Sequence, residues 1–184
     1  MNVISVGLNE FNDALKCLNE KLVKAGIVIE IRAVGGYALL YNNLRKDGYT
    51  MDVDTLTESY SEKVTELIQE VSAEKGLDID WINNDAYGLP EVMGIYKDIT
   101  WLKSTEYSNI ILCVANIESM LKMKVRAVHY GGLVPRITDQ TDLLDILNSM
   151  GIHNIDELRK NDKTSNLEKE YPRCFAFLDG KQRW

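Results

Sequence analysis

The chain has 184 residues and a formal net charge of −7, with 45% hydrophobic and 27% charged residues. That length holds one domain with a full core, or a core with a small helical appendage, and the acidic balance argues against broad nonspecific attraction to nucleic acid while leaving room for a local basic groove. Cys17, Cys113 and Cys174 are odd in number and far apart, which disfavours a disulfide framework and a zinc site; with no basic leader before an apolar run and no apolar stretch of membrane-spanning length, a soluble cytoplasmic protein with no membrane partner is expected.

In chain order, Phe11, Ala14, Leu15, Leu18 and Leu22 recur at helical spacing, and Gly26 is placed to close that helix. Ile27 to Val34 reads as an apolar strand that gives way at Gly35-Gly36 to a helical pattern from Tyr37 to Leu44. Thr50 to Leu56 predicts the next strand, with Asp52 and Asp54 on one face and Val53 pointing into the apolar layer. Ser59 with Glu62 reads as a capping box for a helix carrying Val64, Leu67, Ile68 and Val71, ended by Gly76. Asp78 to Ile82 is a short strand or turn, Gly88-Leu89-Pro90 a loop, and Asn109 to Ala115 a nearly continuous apolar run that reads as a buried strand. Two helices follow, Ile117 to Tyr130 and Asp139 to Met150, joined through Gly131-Gly132 and Pro135, and the charged end from Ile155 predicts further helix. The pattern is that of an α/β (α+β) chain with a core over residues 1–115 and a helical C-terminal part over 116–184 packed on it as one compact unit.

Chemistry concentrates at the second strand. Two carboxylates as close as Asp52 and Asp54 repel unless a cation sits between them, and hard oxygen ligands suit Mg²⁺ or Mn²⁺ completed by water and phosphate. Gly35 and Gly36, where a strand passes into a helix, allow backbone amides to approach a phosphate chain. In the Ile117 to Tyr130 helix, Ile117, Met120, Leu121, Val125 and Val128 form an apolar stripe with Lys124 at its centre, and Lys122 and Arg126 fall on the opposite, solvated face. A lysine there loses hydration unless a fixed anion compensates it. Either its stem snorkels to water, or its ammonium reaches a nucleotide triphosphate or an active-site carboxylate; if it serves a nucleotide, Lys124→Met preserves or raises stability while weakening NTP binding. Along the next helix Asp139 projects onto the buried side with Leu143, Ile146, Leu147 and Met150, while Asp145 points away; an acid in the first turn also favours the helix dipole by about 0.3–1 kcal/mol. His129 and His153 stand alone and read as surface or packing residues.

Gly-Gly at the start of a helix followed by Asp-x-Asp on the next strand resembles the nucleotidyltransferase superfamily typified by DNA polymerase beta, kanamycin nucleotidyltransferase and the head domain of CCA-adding enzymes. Met123-Lys124-Val125-Arg126-Ala127 and Asp139-Gln140-Thr141-Asp142-Leu143 extend the likeness to a small bacterial branch related to abortive-infection and toxin–antitoxin nucleotidyltransferases, over roughly residues 30 to 150. The resemblance implies a small mixed sheet flanked by helices and transfer of a nucleoside monophosphate from an NTP to an acceptor hydroxyl on the 3′ end of tRNA, a protein or a small molecule, with an antitoxin as a further partner. It implies Asp52 and Asp54 as Mg²⁺ (or Mn²⁺) ligands, Gly35, Gly36 and Lys124 at the nucleotide, Asp139 as the acid that partners the lysine with Asp142 as its fallback, and Asp80 or Asp139 as the base.

The chain departs from that pattern in two places. Position 48, two residues before Thr50, is glycine where relatives carry arginine, and the nearest basic residues are Arg45 and Lys46. The later strand Ile110 to Val114 has no third carboxylate; Asp80 is the substitute, with Asp78 alternating onto the same face. Those two departures support an alternative, a noncatalytic nucleotide- or partner-binding module of the same fold. Basic contacts for an RNA acceptor would come from Arg32, Arg45, Lys46, Lys122 and Arg126.

Overall fold

The computed structural model describes residues 6–45, 48–89, 92, 94–131, 136–161 and 166–180. The chain divides into two compact units, Met1–Leu89 with Ile99–Asn116 and Pro90–Asp98 with Ile117–Trp184. Among the described residues it carries eight α-helices and three small sheets, a mixed α+β architecture.

In the first unit, β1 (Val6–Gly7) leads into α1 (Leu8–Ala25), whose Phe11, Ala14, Leu15, Leu18 and Leu22 are fully buried. α1 ends where the helical spacing ends, at Gly26 with φ 67°, whose N–H turns back to Val23 O at 3.1 Å; the left-handed conformation there suits a residue without Cβ. β2 (Ile29–Ala33) buries Ile29, Ile31 and Ala33 and turns Glu30 and Arg32 to the other face, where they pair at 3.0 Å. The chain then enters α2 (Gly35–Tyr41).

Thr50 to Leu56 is not one strand, contrary to its alternation. It breaks at Met51 and Asp52 into β3 (Tyr49–Thr50), antiparallel to β1, and β4 (Val53–Asp54), parallel to β5 (Ile82–Asn83). The break lets successive dipeptides serve different partners. β4 is joined to β2 as well: Ala33 bridges Thr55, Val34 N–H donates to Asp54 O at 2.9 Å and Leu56 N–H to Arg32 O at 2.9 Å. On the other side of β2 lies β7 (Ile110–Ala115), parallel to it and antiparallel to β6 (Trp101–Lys103). The lateral order is therefore β6-β7-β2-β4-β5. β7 is central but not buried throughout, since Ile111 is 47% exposed on the face shared with Glu30.

α3 (Glu62–Lys75) buries Val64, Leu67, Ile68 and Val71 and closes at Gly76 with φ 69°. Its cap is Ser61, not Ser59: Ser61 is the extended residue directly before the helix, and its Oγ accepts from Val64 N–H at 3.4 Å. Trp81 ties the unit together. It is fully buried, stacks on Phe11 with ring centroids 6.4 Å apart, and donates its indole N–H to Ile68 O at 3.1 Å.

The second unit is helical among its described residues, with α4 (Ile117–Tyr130), α5 (Ile137–Ser149), α6 (Ile155–Lys160), α7 (Leu167–Glu170) and α8 (Pro172–Asp179), besides a 3₁₀ turn at Tyr96–Asp98. α4 packs on α5 and α8. Met120, Leu121, Val125 and Val128 of α4 are buried, as are Leu143, Ile146 and Leu147 of α5 and Cys174, Phe175 and Leu178 of α8. The stripe of α4 is wider than the sequence implied. Arg126, expected on a solvated face, is 9% exposed: its guanidinium lies 5.2 Å from the Tyr130 ring centroid and donates to Tyr171 Oη at 2.8 Å. A planar, delocalised cation tolerates burial when aromatic faces and a hydroxyl replace water. A Cβ at Gly94 would overlap the same guanidinium, so the residue packed over it has to be small.

Candidate functional site

The Asp-x-Asp segment is held against the Gly-Gly corner by backbone bonds on both sides of it. Val34 N–H reaches Asp54 O, while Val53 N–H donates to Trp81 O at 2.7 Å and Thr55 N–H to Asn83 O at 2.8 Å. Val53 is fully buried and Asp52 and Asp54 are half-buried, as the alternation required. The glycines serve the chain's own close packing. Gly35 has φ +62°, and a Cβ there would overlap Asp54 Oδ2; a Cβ at Gly36 would overlap Thr50 Oγ1 and lie 2.6 Å from Arg45 Nη1. Asp54 thus sits directly over the first residue of α2, where an alanine would displace it.

Asp52 is fixed from the next strand. Asn83 Nδ2 donates to Asp52 Oδ2 at 2.9 Å, and Asn83 Oδ1 accepts from Asp85 N–H at 2.9 Å. Burial, chiefly, pushes the Asp52 carboxyl above its ordinary value; the charges of Asp85 and Asp78 act in the same direction, and the Asn83 hydrogen bond and the Arg45 guanidinium act against them. A half-buried carboxylate among like charges is a place where added positive charge is favourable.

Arg45 is the described basic residue nearest to position 48. Coming from the segment after α2, it donates to Tyr49 O at 3.0 Å, lies beside Gly36 and contributes its charge to Asp52. Lys46 lies outside the described residues, as do Gly132, Pro135 and Pro90 of the two loops. Arg32 is paired with Glu30 and Arg126 is buried, so two of the basic residues named for RNA are engaged within the protein.

Asp80 is exposed in the turn before β5, where its own N–H donates to Asp78 Oδ1 at 3.2 Å. It borders a cavity of about 390 Å³ that Tyr60, Gln69, Ile79, Asn83 and Asp85 also line. Asn83 therefore touches both the cavity and Asp52. Among the described residues no group of three His, Cys, Asp or Glu side chains is placed to hold a metal ion.

Lys124, Asp139 and Asp142 belong to the second unit and meet there. Lys124 Nζ lies 2.8 Å from Asp139 Oδ1 and 2.8 Å from Asp142 Oδ2, with side-chain exposures of 12%, 5% and 5%. Arg136 Nε adds a 2.8 Å contact to Asp139 Oδ2. Asp139 and Asp142 are three residues apart on α5 and share a face, so the acid and its fallback both bind the lysine. The lysine neither snorkels nor stands open in an apolar stripe. Burial would raise the Asp139 carboxyl, but the charge and hydrogen bond of Lys124, with Arg136, outweigh it and hold the group below the usual carboxylate range. That pairing reverses the expectation for Lys124→Met, because the ammonium is the countercharge of two buried acids.

Asn83 and the reach of Arg45 are the site features the sequence does not announce. Asn83 becomes visible only when β5 is known to run beside β4 with Asn83 opposite Asp54. Against known proteins, no family model, no curated protein and no solved structure matches the chain.

Proposed function

We propose that the protein is a metal-dependent nucleotidyltransferase, moving a nucleoside monophosphate from an NTP to an acceptor hydroxyl. The observation that carries this reading is a pair of half-buried carboxylates from one short segment, Asp54 seated over Gly35 at the Gly-Gly corner and Asp52 held by Asn83. The residues fit a Mg²⁺ or Mn²⁺ ion. Asp52 and Asp54 offer hard oxygens, the donor type of a cation that keeps waters and completes its shell with phosphate. Bound there, such an ion supplies charge neutralisation on the phosphates and polarises the α-phosphorus.

The chain's own part is positioning. Gly35 and Gly36 present main-chain amides at the corner, and Arg45 adds a fixed positive charge beside Gly36. In the reaction the acceptor oxygen bonds to the α-phosphorus, the bond to the bridging oxygen breaks and pyrophosphate leaves, with the hydroxyl proton passing to a base. Asp80, exposed and bordering the cavity that reaches Asn83, suits that role better than Asp139, whose carboxyl is tied to Lys124 and Arg136 and held too weakly basic. Lys124 organises α4 and α5 through Asp139 and Asp142.

A second reading, a noncatalytic nucleotide- or partner-binding module such as one half of a toxin–antitoxin pair, is favoured by one observation. The residue opposite Asp54 on β5 is the neutral Asn83, so no third acid joins the pair there. Cation binding separates the acid pair from a merely solvated strand end. Titrating Mg²⁺ into ¹⁵N-labelled wild type is expected to shift amides around β4 and the start of α2, and the doubly substituted Asp52→Asn, Asp54→Asn protein is expected to fold and show no such shifts. Equal shifts in both proteins would place the cation elsewhere.

A further inference from the structure

Asn83 is locked at both ends of its side chain and through its main chain. β5 pairs with β4 so that Asn83 lies opposite Asp54, and its carbonyl accepts from Thr55 N–H at 2.8 Å. Its amide then spans partners of opposite kind, with Nδ2 also reaching Asp80 O at 3.5 Å. Oδ1 accepts from the Asp85 N–H, which can only donate, and Nδ2 donates to Asp52 Oδ2, which accepts when ionised, both at 2.9 Å. Turning the amide over would set donor against donor and acceptor against acceptor, so the network fixes which end faces Asp52. A residue joined to its neighbours at these points cannot follow a carboxylate that rotates; the carboxylate has to follow it.

We infer that Asn83 is a positioning residue for the carboxylate centre: it occupies one oxygen of Asp52, leaves the other for the cation, and keeps the centre at two acids by standing, uncharged, beside them. The inference rests on the metal-dependent reading above. A ligating carboxylate whose free oxygen is hydrogen-bonded loses less freedom on binding, and such outer partners are worth about 10–100-fold in metal affinity. The neutral amide matters as much as the hydrogen bond. An aspartate at position 83 would still accept from the Asp85 N–H but would turn its second oxygen on Asp52, setting acceptor against acceptor and adding a third negative charge beside the pair. With a cation present that third acid becomes a ligand; without one it is a repulsion.

The test is Mn²⁺ binding followed by electron paramagnetic resonance for wild type, Asn83→Ala, Asn83→Asp and Asp52→Asn. The wild type is expected to bind saturably, Asn83→Ala about tenfold or more weakly, and Asn83→Asp to be less thermostable than wild type without metal yet to gain more in melting temperature from added Mn²⁺. A purely structural role would lower the melting temperature of Asn83→Ala and leave its Mn²⁺ affinity alone. Should Asn83→Ala not fold, the wild type answers the question: the Asn83 side-chain amide resonances are expected to move on Mg²⁺ addition, and to stay still in Asp52→Asn. Wild-type Mn²⁺ affinity in a folded Asn83→Ala, alongside its loss in Asp52→Asn, would overturn the role of Asn83 and leave the metal site standing. No Mn²⁺ binding by the wild type would overturn the metal-dependent reading and this inference with it.

Discussion

Lys124→Met is expected to destabilise the protein by about 3–5 kcal/mol at neutral pH, because it removes the ammonium shared by two buried carboxylates. Asp139 and Asp142 are each 5% exposed at the side chain and both lie 2.8 Å from the ammonium that the substitution removes. The pH dependence distinguishes this cause from a lost packing contact. In the wild type Asp139 titrates below its unfolded value, so the stability it contributes is complete above the ordinary carboxylate range, near pH 4, and is lost as pH falls through the folded value. In Lys124→Met that contribution shrinks. With the lysine gone, only Arg136 is left against burial at Asp139, so its carboxyl rises relative to wild type and the deficit narrows as pH falls from 7 towards 4. Adding Asp139→Asn and Asp142→Asn to Lys124→Met should restore much of the loss at pH 7. Thermal melts across that pH range check all three expectations, and a Lys124→Met protein that melts with wild type at pH 7 would show that the ammonium is not the countercharge.

Gly35→Ala is expected to cost about 1–2 kcal/mol from its backbone conformation alone, since φ +62° is open to glycine and unfavourable for alanine. A second cost comes from the overlap of the new Cβ with the Asp54 carboxylate. The two are separable in a double-mutant cycle. Asp54→Ala removes the overlap but not the backbone strain, so Gly35→Ala should be less harmful in that background than in wild type. Denaturant unfolding of the four proteins measures the difference. The same substitution should remove the Mg²⁺ response even where the protein stays folded, because Asp54 has to move; an identical cost of Gly35→Ala in both backgrounds would mean that Asp54 does not press on the glycine.

What the sequence discloses about this molecule is mostly what depends on local spacing. The stripe of α1, its glycine stop, the buried Val53 between two acids and the span of α4 all follow from periods of 3.6 and 2 together with residues that fit left-handed turns. Pairing across long separations is not written locally. Thr50 to Leu56 alternates like one strand but is divided between two partners, and Asn83 gains its place only through parallel pairing with β4. Burial of charge is the other blind spot. Arg126 lies on the side of α4 that a helical wheel assigns to water, yet Tyr130 and Tyr171 close over it, one four residues on and the other 45 residues away. Lys124 was recognisable as an anomaly because an apolar stripe surrounds it; that both Asp139 and Asp142 answer it depends on α5 packing against α4.

Transfer of label from NTP to acceptor is the most direct measure of the central claim. Each α-³²P-labelled NTP is incubated with the protein, Mg²⁺ or Mn²⁺, total cellular RNA and a cell lysate, and the products are resolved as tRNA, protein and small molecules. The account predicts label on one of those acceptors from the wild type, with pyrophosphate released, and a fall of about a thousandfold or more in Asp52→Asn, the size of several kcal/mol of lost transition-state stabilisation. Undiminished transfer by Asp52→Asn would contradict it by placing the chemistry elsewhere, and no transfer to any acceptor by a wild-type protein that binds Mg²⁺ and NTP would contradict it and leave the noncatalytic module as the reading of this site.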